Sequence, residues 1–288
     1  MAAYSEKAEK ATDLQLSDAH FHLGFVLDPA GFAIEAQRAG SFIFAASVTP
    51  CEYWDTKRVF SRTFNLTQTN LGSTQQAVDL PFVKLAVGLH PWWVSADECR
   101  LAEELRAFDD ALPETRYVGE VGLDFSKRRI ATRDAQLCAF RHIAGACAKE
   151  GGKVLSVHCV KAYDDALSIL KGSGCLASCT CIFHWFSGSF PQLTQAVDAG
   201  CSFSVGARML ETKKGREYAK AIPLQKLLLE TDAPFAADPE REHPSIAYSY
   251  DQMRRQLAET LQRLARIRDI GEAELAAIVQ QNAREVFS

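Results

Sequence analysis

Lys84-Leu85-Ala86-Val87-Gly88-Leu89-His90-Pro91-Trp92 is a nearly unbroken apolar run that ends on an imidazole and a proline. A strand wetted on one face alternates apolar and polar residues. A run this continuous fits a strand covered on both faces, as in parallel sheets. The same grammar recurs in Phe42-Ile43-Phe44-Ala45-Ala46-Ser47-Val48 and in Lys226-Leu227-Leu228-Leu229-Glu230. Strands are expected at 14–20, 41–48, 83–89, 116–121, 153–158, 179–184, 201–206 and 226–231. Amphipathic stretches lie between them. In 131–149, Leu137, Phe140, Ile143 and Ala144 recur at helical spacing. Shorter helices are expected at 164–170, 190–199 and 216–221, and two helices, 250–270 and 272–287, close the chain, with Gly271 as the stop between them. Strands alternating with helices in this number predict an α/β fold, a single-domain (β/α)8 TIM barrel over 14–288 behind a flexible segment at 1–13. An open doubly wound sheet is the alternative. Polar residues gather at the exits of strands from both ends of the chain, which favours closure.

Composition narrows the class. The 288 residues are 47% hydrophobic and 24% charged, with a net charge of −4. No global basic field draws such a chain to nucleic acid or to anionic membrane, so a polyanion needs a local patch or a metal ion. The nine cysteines are scattered, odd in number and free of any C-x-x-C pair, which reads as a reducing compartment and not a disulfide framework. Residues 1–13 are polar and lack the apolar core of a signal peptide, and no apolar run nears the roughly 20 residues of a membrane helix. The expected location is cytoplasmic, with no membrane partner.

The chemistry gathers at strand exits. Asp18-Ala19-His20-Phe21-His22 ends the first strand, and alternation puts Asp18, His20 and His22 on one face. Two imidazoles so spaced can grip one metal ion. Glu120, His158, His184 and Asp232 stand at or just past later strand ends, and His90 ends the third strand. Of the seven histidines, His142 falls mid-helix and His243 in an irregular stretch, leaving five at exits. In a barrel these exits converge on one mouth. Imidazoles and carboxylates gathered there are costly to bury unless paired or bound to a cation.

DAHFH (18–22), GLHPW (88–92), GEVGLD (119–124), the His158 strand, HWFSG (184–188), ETDAP (230–234) and NAREVF (282–287) occur in this order along the chain. Together they resemble the TatD family of metal-dependent deoxyribonucleases, within the amidohydrolase-like barrels. The resemblance implies two divalent ions, Mg, Mn or Zn. His20, His22 and Asp232 would hold the first, His158 and His184 the second, and Glu120 would bridge them. It further implies a hydrolase that cleaves phosphodiester bonds with a metal-activated water, an exonuclease acting on DNA, single-stranded or at strand ends. Glu120 and Asp232 are the catalytic carboxylates of this reading. Mixed imidazole and carboxylate ligands suit Zn²⁺ or Mn²⁺, while Mg²⁺ prefers oxygen.

Around this centre, His90, Trp92, Arg128 and Arg208 are the candidate substrate contacts, the first in the pocket, the second stacking with Trp93 and Trp185 on a base, the last two gripping phosphate. Arg128 belongs to a basic cluster with Lys127, Arg129 and Arg133, and Arg208 to one with Lys213, Lys214 and Arg216. Asp18 is placed to fix a ligand imidazole. Residues 233–249, rich in proline and charge, are expected over the mouth. Two departures from the family pattern stand out: Val160 occupies the place of an arginine two residues past His158, and Arg241-Glu242-His243-Pro244 keeps an Arg and a Pro but not the Asn between them. Competing functions are an amidohydrolase-type hydrolase of a small amide, lactone or phosphoester, and a metal-binding subunit with protein partners in a larger nucleic-acid-processing assembly.

Overall fold

The computed structural model describes residues 15–69, 80–235 and 245–288. The flexible segment expected at 1–13 and the Arg241–Pro244 run lie outside these residues. Eight parallel strands follow the chain in spatial order: β1 Asp18–Phe21, β2 Ile43–Ala46, β3 Val83–Leu89, β4 Tyr117–Asp124, β5 Val154–Val160, β6 Thr180–His184, β7 Ser202–Val205 and β8 Leu227–Leu229. Closure comes at the exits of the first and last strands. Phe21 bridges Ala233, the His22 N–H donates to the Ala233 carbonyl at 2.8 Å, and the Asp232 N–H to the His20 carbonyl at 3.0 Å. The (β/α)8 barrel is therefore the fold, and the open sheet is excluded.

Alternation along the strands sorts the core. Ile43 and Ala45 join the large cluster between sheet and helices, whereas Phe44, Ala46, Ala86, Ile182 and Leu228 form a small interior cluster. Ala283 and Phe287 of the last helix belong to that interior cluster and plug its floor. Asn282 fastens the plug by donating to the carbonyls of Leu224 at 2.7 Å and Leu227 at 2.8 Å. The terminal motif thus closes the end of the barrel opposite the strand exits.

Boundaries shift for local reasons. β4 and β5 run to Asp124 and Val160, past the ends read from sequence, while β8 is shortened by a 3-10 turn at Leu224–Lys226. The helix expected at 216–221 begins at Lys213, where the Thr212 hydroxyl caps the Gly215 N–H at 2.9 Å. Three further helices fill the crossovers at Pro29–Ala39, Pro50–Thr69 and Glu98–Ala111. Gly271 is not the stop between the last two helices. The first ends at Arg268 with Asp269 in the left-handed region (φ 54°), and Gly271 is the residue that precedes the second.

Candidate metal centre

Two glycines bring the centre together. The Ser47 N–H donates to the Gly119 carbonyl at 2.9 Å and the Glu120 N–H to the Ser47 carbonyl at 2.8 Å, reaching across β3 at Gly88. A Cβ at Gly88 would lie 1.8 Å from the Ser47 carbonyl oxygen, so only glycine lets β4 bend inward there. Gly122, at φ 140°, leaves its missing Cβ 2.0 Å from the His158 carbonyl oxygen. β4 thereby leans on β5 and carries the Glu120 carboxylate to the barrel axis.

Glu120 is 2% exposed, and its two oxygens divide the imidazoles. Oε2 lies 3.2 Å from His20 Nε2 and 3.5 Å from His22 Nε2. Oε1 lies 2.7 Å from His158 Nδ1 and 2.7 Å from His184 Nε2. Asp232 closes the first group, with Oδ1 3.7 Å from His20 Nε2 and 3.5 Å from His22 Nε2. His20 and His184 stack across the centre at 4.1 Å, so the two groups share one space. Asp232 itself sits at φ 54°, a backbone region sparsely used outside glycine and often found at functional sites. All six expected ligands meet, from β1, β4, β5, β6 and the β8 exit.

His90 joins them differently. Its Nδ1 accepts the Trp92 backbone N–H at 3.0 Å, so neutral His90 carries its proton on Nε2, which lies 3.1 Å from Glu120 Oε1. Burial lowers its pKa to about 4, so the ring stays neutral. It therefore presents a donor and no lone pair, although its position beside Glu120 and His158 is one a ligand could take.

The acid–base balance is set by carboxylates packed among imidazoles. Burial pushes the Glu120 carboxyl up, but the imidazoles packed on it, His90, His184, His20 and His158, outweigh burial and hold the group well below the usual range. Burial also works against charge on His22 and His158. Its effect is exceeded at His22 by Asp232 and Glu120, and at His158 by Asp124 and Glu120, which raise both rings to about 9. His20 goes the other way, to about 4, chiefly through burial. Divalent cations fit this donor set of imidazole nitrogens and carboxylate oxygens.

Several orienting residues escaped the sequence reading. The His20 Nδ1 pairs with the Ser156 hydroxyl at 2.7 Å, which turns Nε2 toward the centre. Asp18, expected to orient a ring, instead accepts the N–H groups of His20 and Thr231, each at 3.1 Å, and so ties β1 to the β8 exit. Asp124 lies 3.3 Å from His158 Nε2 and accepts the Trp92 indole N–H at 2.6 Å. Glu230 accepts the Trp185 N–H at 3.1 Å and stands 3.9 Å from His184 Nδ1. Alternation held the signal: Ser156 precedes His158, Glu230 precedes Asp232, and Asp124 follows Gly122, each by two residues on one strand face.

A cavity of about 440 Å3 opens from the centre, walled by Trp92, Trp185, Val160, Cys159 and Phe235. Arg208 is the one Lys or Arg among its described lining residues, with its guanidinium 5.8 Å from the Trp185 ring and resting on Phe235. Arg128 is exposed on the loop beyond β4 and does not line the cavity, whereas its neighbour Arg129 lies over Trp92 at 4.7 Å. Trp93 packs edge-on against His90 and is not in the lining. Of the stretch expected over the mouth, Ala233–Phe235 and 245–249 are described, and Phe235 reaches the cavity.

The family model for "TatD related DNase" matches residues 17–288. The chain belongs to the TatD family. It is 31% identical over 240 residues to the 3'-5' ssDNA/RNA exonuclease TatD of Citrobacter rodentium, a match covering 77% of this chain and 85% of that protein. It is 30% identical over 216 residues to the uncharacterized metal-dependent hydrolase YabD of Bacillus subtilis, covering 72% and 78%. The TatD family hydrolase of Entamoeba histolytica superimposes with a TM-score of 0.69 at 17% identity, over 95% of this chain and 98% of that one, a likeness of fold. As a TatD-family protein, the chain is a metal-dependent hydrolase of the nuclease kind, acting on ester bonds. Among the described residues no helix is long and apolar enough to cross a membrane.

Proposed function

We propose that this TatD-family hydrolase, over residues 14–288, removes nucleotides from the ends of single-stranded nucleic acid with two divalent cations. The observation that carries the reading is the division of Glu120, with Oε2 toward His20 and His22 and Oε1 toward His158 and His184. One carboxylate serving two imidazole pairs suits a bridge between a first cation on His20, His22 and Asp232 and a second on His158 and His184. Cations held by these residues would supply an acidified water and would offset charge on the phosphoryl oxygens.

The chain's own residues supply the rest. Asp232 is the more exposed carboxylate, with a side chain 17% exposed against 3% for Glu120, and it is placed to accept a proton from water in the cavity. His90 lines the same cavity, with its Nε2 3.1 Å from Glu120 Oε1, and its Nε2–H is a donor that a phosphoryl oxygen can share with Glu120. Trp92 and Trp185 offer faces for a base, and Arg208 offers a charge for a phosphate. A cavity of about 440 Å3 fits a small ligand, so a strand end enters and a duplex does not. The relative named a 3'-5' ssDNA/RNA exonuclease supports a 3'-to-5' direction and a single strand of either nucleic acid. All nine cysteines are free thiols, which supports a reducing cytoplasmic setting.

End-labelled single-stranded DNA, RNA and duplex DNA, incubated with the protein and Mn²⁺ or Mg²⁺, test the reading. Stepwise shortening of the single strands is expected, with loss in EDTA and in Glu120→Ala and Asp232→Ala. Cleavage that survives both substitutions overturns it.

A further inference from the structure

Of the four expected ligand imidazoles around Glu120, two have a hydrogen-bonding partner on the nitrogen that faces away from it, Ser156 for His20 and Asp124 for His158. Nδ1 of His22 and Nδ1 of His184 are both buried without a hydrogen bond, and Glu230 stands 3.9 Å from that of His184. Another buried atom without a partner is Oε1 of Glu52, in the first turn of the helix Pro50–Thr69. The other oxygen of Glu52 accepts the Val48 N–H at 2.8 Å, and the Glu52 N–H donates to the Thr49 hydroxyl at 3.2 Å, so the side chain is anchored from one end only. Its free oxygen presses on the chain just past His22, since a Cβ at Gly24 would lie 2.1 Å from it. The two groups also feel each other's charge, because His22 partly offsets the burial that lifts the Glu52 carboxyl. A buried carboxylate oxygen and a buried imidazole nitrogen, neither hydrogen-bonded and both beside the turn that follows His22, each carry a desolvation cost that one hydrogen bond would remove.

We propose that Glu52 is a positioning residue, whose Oε1 takes the Nδ1–H of His22 and so fixes the tautomer that offers the Nε2 lone pair to a cation. The proposal rests on His22 as a metal ligand. The helix that follows β2 then contributes to the centre although none of its described side chains lines the cavity, and His22 gains the outer carboxylate or hydroxyl that His20 and His158 have.

Glu52→Gln is the informative change. The amide oxygen can keep the Val48 bond, which turns the amide N–H group toward His22. Nδ1 then becomes an acceptor, the proton moves to Nε2, and the lone pair needed by the cation is lost. Binding of Mn²⁺ and of Zn²⁺ is measured by calorimetry on the full chain for wild type, Glu52→Gln, Glu52→Ala and His22→Ala, beside thermal melts of each metal-free protein. Affinity about 10- to 100-fold weaker in Glu52→Gln, with an unchanged metal-free melt, is the expected result. Wild-type affinity in Glu52→Gln while His22→Ala is weakened overturns the positioning role and leaves His22 a ligand. A fall in metal-free stability that tracks the fall in affinity in both Glu52 variants shows a structural role instead. Wild-type affinity in His22→Ala removes the ligand reading, and the proposal with it.

Discussion

The Asp124 carboxylate lies 3.3 Å from Nε2 of His158, and this contact leaves the other nitrogen of the ring, Nδ1, 2.7 Å from Glu120. Asp124 is itself fixed from three sides. It accepts the Trp92 indole N–H at 2.6 Å and the Ser126 N–H at 2.8 Å, and its own N–H donates to Gln136 at 2.8 Å. Against the pull of burial, hydrogen bonds from His158, Trp92 and Ser126 hold its carboxyl well below the usual range. Oδ2 meets both the Trp92 indole and His158 Nε2, and Oδ1 takes the Ser126 N–H, so in Asp124→Asn the amide NH2 opposes either the Ser126 donor or the Trp92 and His158 donors. In either orientation the His158 ring loses the charged acceptor that sets its tautomer. Cation affinity is expected to fall about 10- to 100-fold, read by equilibrium dialysis, with the melting temperature little changed. Undiminished affinity would show that the contact does not orient the ligand.

His90 should separate binding from turnover. Its Nδ1 is occupied by the Trp92 N–H, so the ring serves as a donor through Nε2 and not as a ligand. Removing a donor aimed at developing charge costs about 10²- to 10³-fold in rate. His90→Ala is therefore expected to lower kcat by that order while bound metal per chain, by elemental analysis, stays at the wild-type value. A chain that loses metal would make His90 a ligand.

Much of this arrangement is legible in the sequence, and what is not has physical reasons. The ligands are legible because His and Glu at the end of an apolar strand break its pattern. Their supports are less so, since Ser156 and Asp18 are residue types that cap and turn anywhere. β4 reads as ending at 121 because Gly122 looks like a breaker, yet it continues to Asp124 through a φ that only glycine adopts readily. Glu52 carries no sequence signal. It reaches the centre from a helix, and only packing shows that its carboxylate lies against Gly24.

Cation affinity should climb with pH. His22 and His158 sit at about 9, above the ordinary histidine value of 6.5, so at neutral pH both rings of the metal-free protein hold protons. A cation must displace them. Affinity is expected to rise up to about tenfold per pH unit for each proton released, and to level off above about pH 9. Metal-free folding has the opposite sign. A raised folded pKa stabilises fully below the unfolded value of 6.5 and is lost as pH climbs through about 9. Calorimetry in two buffers of different ionisation enthalpy counts the protons, and a count of zero at pH 7 would refute the assignment.

Arg208 and Arg128 should differ. Only Arg208 lines the cavity, and burial lowers its pKa against the pull of Asp232 and Glu211, while Arg128 is exposed on the loop. Arg208→Ala is expected to raise KM for a short single strand and to reduce the slope of log affinity against log salt by about 1, the loss of one phosphate contact. Arg128→Ala is expected to change KM less than Arg208→Ala. Equal effects would move the phosphate path to the outer rim.

The floor of the barrel should govern stability without touching chemistry. The Asn282 amide spans the carbonyls of Leu224 and Leu227, and Phe287 fills the space beside Phe42 and Phe44 at ring separations of 6.1 and 5.9 Å. Asn282→Ala removes a donor shared by the Leu224 and Leu227 carbonyls at the entry to β8, of which Leu224 keeps the Leu227 N–H, at a cost of about 1–3 kcal/mol. Phe287→Ala opens a cavity in a fully buried aromatic cluster, at a cost of about 3–5 kcal/mol. Both residues sit opposite the strand exits, so the cation affinity of the remaining folded protein should equal that of wild type. Urea unfolding measures the first effect and calorimetry the second. A loss of affinity in Asn282→Ala under conditions where the chain is fully folded would show that the floor and the metal centre are coupled through β8, which joins Asn282 at one end to Asp232 at the other.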